Sequence, residues 1–159
     1  MKFSLSREAL LKPLQLVIGV VERRQTLPIL SNVLFSLSDK NLSITGTDLE
    51  VEIVGLTAVS NYEEEGSVTI SARKTLDICR SLPEGATLKF SSSEGKASIQ
   101  SGKSKFMLST LPASEFPTVD EGEKSLEFSV SGKDLQKLIE STSFAMAQQD
   151  VRYYFCLLY

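Results

Sequence analysis

The feature that most constrains this chain is an internal repeat. Its unit is a short alternating strand, a helix opened by a serine, and three more alternating strands. In the first copy Phe3-Ser4-Leu5 is the strand and Ser6 the capping residue. Glu8 stands in the first helical turn, where a carboxylate suits the positive end of the helix. Leu10, Leu11, Leu14, Val17, Ile18 and Val21 recur at helical spacing and form the stripe to be buried. Pro13 interrupts that stripe; an interior proline costs about 3 kcal/mol, so the pattern predicts a kink or a break there. A basic turn, Arg23-Arg24-Gln25, leads into strands over Ile29 to Leu37, Leu42 to Thr47 and Leu49 to Leu56. Asp39-Lys40-Asn41 and Gly46-Thr47-Asp48 supply the turns between them.

The second copy follows an acidic surface loop, Asn61 to Gly66. Val68 to Ser71 is its strand, ending in a serine placed to cap, and Ala72 to Ser81 its helix. Leu76 and Cys79 lie on the apolar side of that helix; Arg73, Lys74 and Arg80 carry positive charge, partly offset by Asp77. Leu82-Pro83-Glu84-Gly85 ends it, and strands follow over Thr87 to Ser91, Lys96 to Gln100 and Lys103 to Ser109. Residues 111–125, rich in proline and acid, read as a linker. Then Phe128-Ser129-Val130-Ser131 repeats Phe3-Ser4-Leu5-Ser6, and Leu135, Lys137 and Ile139 match Leu10, Lys12 and Leu14 at the same offset. The expected organisation is a first domain over 1–110, a linker over 111–125, and the truncated start of a second domain over 126–159. A piece as short as 126–159 buries too little surface to offset its ordering entropy, so it should need a partner. The fold class is α+β, with two capped helices packed on antiparallel sheets.

Composition narrows the chemistry. The chain of 159 residues has no histidine, which removes the commonest general base and the commonest zinc ligand. Its net charge of -3 argues against indiscriminate nucleic-acid binding while leaving room for a local basic face. No apolar run approaches the ~20 residues of a membrane span, and the N-terminus does not read as a signal peptide. Together with two isolated cysteines this points to a reduced, cytoplasmic compartment. Asp48, Glu50 and Glu52 alternate along a strand; such a trio serves either a metal-dependent nuclease or simply the polar face of the strand. Cys79 reads as a buried structural thiol.

The motifs Thr26-Leu27-Pro28-Ile29-Leu30-Ser31-Asn32, Thr45-Gly46-Thr47-Asp48-Leu49-Glu50, Ala72-Arg73-Lys74, Asp77-Ile78-Cys79-Arg80, Ser109-Thr110-Leu111-Pro112-Ala113, Phe116-Pro117 and Gln149-Asp150-Val151-Arg152-Tyr153-Tyr154 have a further meaning together. With them the chain resembles the bacterial sliding-clamp family, the beta subunits of DNA polymerase III. The resemblance implies the DNA clamp fold. It implies three such domains per full-length subunit, and a head-to-tail homodimer that closes a ring around double-stranded DNA without reading its sequence. It implies a non-catalytic processivity factor without cofactors, serving a holoenzyme whose polymerase activity belongs to another subunit. Polymerase III and the clamp loader would bind a groove in regions beyond this chain. By resemblance Arg24, Arg73, Gln149, Arg152, Tyr153 and Tyr154 contact DNA, against the plainer reading of solvated surface residues. Lys74, Lys96, Lys103, Lys105, Phe106 and Leu108 belong to the subunit interface, against the plainer reading of a lysine-guarded edge. The helix regions hold Arg7, Lys12, Arg23, Arg24, Arg73, Lys74 and Arg80, which suits a basic inner wall. The tail Phe155-Cys156-Leu157-Leu158-Tyr159 departs from the family pattern. A free-standing short clamp that competes for ring closure is the alternative reading.

Overall fold

A computed structural model describes residues 1–21, 27–118 and 128–146. The chain divides into two units, Met1–Asp120 and Glu121–Tyr159. In the first, β1 (Lys2–Ser6) leads directly into α1 (Arg7–Val17), which ends in a 3₁₀ turn over Ile18–Val20. After a second 3₁₀ turn, Pro28–Ser31, come β2 (Asn32–Ser38), β3 (Asn41–Thr47), β4 (Glu52–Ala58), β5 (Asn61–Glu64) and β6 (Gly66–Ser71). Helix α2 (Ala72–Ser81) and strands β7 (Thr87–Ser93), β8 (Lys96–Ser101) and β9 (Ser104–Leu111) complete the repeat. The described strands form one nine-stranded sheet in the order β4-β3-β2-β6-β9-β8-β7-β1-β5. Every pairing is antiparallel.

Alternation decides which face is buried. Phe35, Leu37, Leu42, Ile44, Leu88, Phe90 and Ile99 project from one face of the sheet into a core closed by Leu10, Leu14 and Val17 of α1 and by Leu76 and Cys79 of α2. Phe90 sits at its centre, stacked on Phe3 at 4.9 Å and tilted against Phe35 at 5.6 Å. Each such side chain contributes about 1.5–3 kcal/mol by leaving water. A smaller cluster of Ile29, Leu30 and Phe116, with Leu34 and Leu111 against it, lies under the Pro28–Ser31 turn.

Several expectations are corrected in detail. Helix α1 is not broken at Pro13; it continues to Val17 with Pro13 buried. The proline ring lies against Gly55 of β4, where a missing Cβ makes room: a Cβ on Gly55 would stand 2.7 Å from that of Pro13. Strand β2 starts at Asn32, because Pro28 opens a 3₁₀ turn over what was expected to be its first residues. Strand β4 starts at Glu52, because residues 48–51 form the turn. The acidic segment expected to be a loop is strand β5, paired with β1; Lys2 Nζ donates to Glu63 at 2.6 Å, and the terminal amine lies 3.5 Å from Glu64. Ser6 caps α1 by accepting from Ala9 N at 3.2 Å, whereas the Ser71 side chain makes no capping bond to α2; its carbonyl instead accepts from Thr75 Oγ1 at 2.7 Å. Ser71 still belongs to β6, opposite Asn32, which fixes its backbone for the sheet.

The second unit shows helix α3 (Gly132–Thr142), capped where the repeat requires: Ser131 Oγ accepts from Asp134 N at 3.1 Å. Phe128–Val130 is not a strand here, in contrast to its counterpart Phe3–Leu5. A strand needs a ladder partner, whereas a helix closes its hydrogen bonds within itself. No described residue of α3 is buried; Leu135, Leu138 and Ile139 remain exposed.

Gly55→Ala should lower stability by about 1–3 kcal/mol, because Pro13 is held in a closed core. Urea denaturation checks this, with Gly19→Ala, where an added Cβ meets nothing within 4 Å, as the control that leaves the midpoint nearly unchanged.

Candidate nucleic-acid interface

Helices α1 and α2 cover the core and pack against each other. Arg7 ties them: its Nε donates to the carbonyl of Cys79 at 2.7 Å, and its Nη1 to Glu8 Oε1 at 3.1 Å. Arg7 is therefore an internal strut, not the wall charge its place in the sequence suggested; only 14% of its side chain is exposed. Glu8 Oε1 also accepts from Gly85 N at 3.1 Å. That backbone donor, with Arg7 as a lesser cause, holds the Glu8 carboxyl below the usual glutamate range.

The outward helix surface carries Lys12 on α1 and Arg73, Lys74 and Arg80 on α2, all exposed, beside the acid Asp77. Arg73 Nη2 donates to the carbonyl of Val21 at 3.3 Å. Val21 is the last described residue before the gap, three positions ahead of Arg24 in the sequence. Arg24 itself, and Gln149, Arg152, Tyr153 and Tyr154, lie outside the described residues. A layer of exposed cations can neutralise phosphate charge without reading base edges.

Of the six residues expected at a subunit interface, Lys96, Lys105, Phe106 and Leu108 lie on the sheet, Lys74 on α2 and Lys103 in the turn before β9. Strand β9 pairs with β8 along its length but meets β6 only at Thr110 and Leu111. Ser104–Ser109 is thus an open edge among the described residues. Phe106, half-buried, and Leu108, buried, face the core side, and Lys74 lines one cleft together with Leu108 and Asn32. Lys105 faces the opposite way, and Lys96, in register with Ser109, shares that outer surface with it. Lys103 is exposed in the turn before β9. The outer face also presents Met107, 55% exposed, which sequence reasoning passed over. The alternation that turns Phe106 and Leu108 inward places Met107 outward and could have found it.

The acidic trio does not share a strand face. Asp48 Oδ1 accepts from Glu50 N at 2.9 Å and from Val51 N at 2.7 Å, closing the turn before β4. These backbone bonds hold the Asp48 carboxyl below the ordinary aspartate value. They also support Leu49 at a φ of 81°, whose own N–H is accepted by Thr47 Oγ1 at 3.0 Å. Among the described residues no group of three His, Cys, Asp or Glu side chains could hold a metal ion. Burial pushes the Cys79 thiol up to about 11, against a smaller opposing pull from Arg7.

Comparison with known proteins joins this geometry to a family. Residues 1–120 match the family described as DNA polymerase III beta subunit, N-terminal domain. The beta sliding clamp of Pseudomonas aeruginosa is 58% identical over 154 residues, and that of Escherichia coli 49%. The crystal structure of the DNA polymerase III subunit beta from Pseudomonas aeruginosa superposes with a TM-score of 0.91 at 57% identity over 98% of this chain. Caulobacter crescentus pol III beta gives 0.91 at 39% identity. The chain belongs to the DNA polymerase III beta-subunit family, the sliding clamps, and has the α+β clamp fold. It spans 42% of the length of the Pseudomonas aeruginosa and Escherichia coli relatives.

Two outcomes follow. Cys79 should resist a thiol reagent at pH 8 in the folded protein and react promptly in urea, because the thiolate is unfavourable in the core. Asp48 has a lowered folded value, so its stabilising contribution is present above the ordinary aspartate value and is lost as pH falls through the folded one. Asp48→Asn keeps the Oδ1 acceptor but not the charge. Its stability deficit relative to the parent should hold steady from about pH 5 to 8 and shrink below about pH 4 in urea titrations.

Proposed function

We propose that this chain supplies the first domain of a replication clamp, over residues 1–110, with 111–125 as the linker and 126–159 opening the second domain. In the assembled protein such domains form a head-to-tail dimeric ring around double-stranded DNA in the bacterial cytoplasm. The ring tethers DNA polymerase III and has no catalytic group of its own. Arg24, Arg73, Gln149, Arg152, Tyr153 and Tyr154 serve as sequence-independent DNA contacts. Lys74, Lys96, Lys103, Lys105, Phe106 and Leu108 serve the subunit junction along the open edge of β9. Polymerase and clamp loader engage surfaces beyond this chain.

The observation that carries the reading is the exposed basic helix layer, Lys12, Arg73, Lys74 and Arg80, in a chain whose net charge is negative. A mobile clamp needs phosphate attraction that is weak, local and blind to sequence, because base contacts would park it. Acids elsewhere, such as Glu63 held by Lys2, keep the total charge low without opposing that layer directly.

Binding of short duplexes, followed by fluorescence anisotropy across a salt series, tests this. Affinity should be weak, equal for unrelated sequences, and fall steeply with salt. Arg73→Ala should lower affinity for every duplex alike and flatten the slope of log K against log salt by about 1, the share of one phosphate contact. Sequence preference, or an Arg73→Ala variant indistinguishable from the parent, would remove Arg73 from the DNA contacts.

A further inference from the structure

Alternation turns one face of β1, β7, β8 and β9 away from α1 and α2. Phe3, Leu88, Phe90, Ile99 and Leu108 point into the core, so the residues between them point outward. Register sets these in rows across the four strands. One row runs Ser4, Lys89, Gln100, Lys105, and the next runs Lys2, Ser91, Ser98, Met107. No acid projects from this face of the four strands. Glu63 of β5 and Glu94 of the β7–β8 turn border it, and Glu63 is engaged by Lys2 at 2.6 Å. Lys89 and Lys105 have no ion-pair partner among the described residues. Ser91 and Ser98, short and half-buried between longer neighbours, floor a trough. A hollow of about 500 Å³ opens at its β1 end beside Ser4, Tyr62 and Lys89, and a second of about 370 Å³ at its β9 end beside Lys105 and Met107. Both are lined by Ser91, Ser98 and Gln100, so they are continuous. Three strand spacings give the trough a length of about 14 Å, the reach of about four extended residues.

We propose that this outer face docks an extended acidic peptide segment of a partner protein, with one of its carboxylates on Lys89. The Ser4 and Ser91 hydroxyls and the Gln100 amide supply neutral donors around that position. These polar groups, and the Ser98 hydroxyl, take part in no other side-chain hydrogen bond among the described residues. Charge complementarity selects an anion, and the residue types select among anions. Single-stranded nucleic acid needs rings on which its bases stack, and no aromatic side chain projects from these four strands on this side. A membrane surface needs apolar groups to bury, and Met107 is the one large apolar side chain these strands expose here. A stiff duplex bridges a trough and does not enter it. An extended peptide does enter, and its alternate side chains fall on one side, toward the lysines.

Lys105 stands at the proposed subunit junction, so the anchor is Lys89, which lies on β7, two strands inward of β9. Lys89 belongs neither to that junction nor to the DNA contacts. The site occupies the side of the sheet away from α1 and α2 and is independent of both readings.

Titration of the 159-residue chain at low salt with a short fluorescent peptide of alternating aspartate and serine, followed by anisotropy, tests this. Binding should be weak and should fade as salt is added. Lys89→Glu should weaken it about fivefold or more, the effect of losing one exposed charge pair and reversing its sign. Ser98→Leu leaves the net charge alone but fills the floor of the trough, and should weaken binding by a similar factor. Lys89 is exposed and Ser98 lies on the outer face, so both variants should keep the parent's melting temperature. Arg73→Ala should bind the peptide like the parent, and excess duplex should not displace it, because the two ligands use opposite sides of the sheet. Backbone amide NMR shifts on adding peptide should gather on β1, β7 and β8. A parent that ignores the peptide, shifts confined to α1 and α2, or a Lys89→Glu variant that binds like the parent overturns the proposal. Each of these leaves the DNA-contact reading, judged by the Arg73→Ala salt slope, untouched. Oligothymidylate or phosphatidylglycerol vesicles that bind with the same dependence on Lys89 overturn it equally, since the face would then be a general anion surface.

Discussion

The structure depends on covering the apolar face of an antiparallel sheet with two short helices. Phe35 and Phe90 project from strands far apart in sequence and meet beneath α1 and α2. Without the helices that face would lie in water; without the sheet neither helix is long enough to persist alone. The duplicated unit solves the problem once per half and shares the solution. The second unit shows the converse, since its helix is capped and regular yet leaves its apolar stripe uncovered.

Much of this architecture was legible in the residues because its causes are local. Period-two alternation marks β2, β3, β7 and β8, helical spacing marks α1, and Ser6 and Ser131 announce helix starts through bonds that span three residues. What escaped was set by tertiary partners. Pro13 is accommodated because Gly55, forty-two positions away, offers space that no window around Pro13 reveals. The acids of Asn61–Glu64 form a strand because β1 presents an unpaired edge and Lys2 to meet them. Ser71 looks like Ser6 but is still engaged in the ladder to β2.

The candidate site divides the same way. Arg73 and Lys74 could be placed on an exposed helix surface from spacing alone. Arg7 could not be told from them, since its engagement with the Cys79 carbonyl is visible only when both helices are in place. The roles of the basic residues came from motif resemblance, because a cation on a surface carries no mark of what it will meet. Asp48 was legible as a residue and misjudged as a face, its carboxylate being spent on two backbone amides.

The Arg7 strut has a mechanical side. By bolting the start of α1 to the end of α2 it makes the two helices a single plate. Lys12 on one helix and Lys74 and Arg80 on the other therefore keep a fixed spacing between their anchor points, and Arg73 is held at its tip as well, by the Val21 carbonyl.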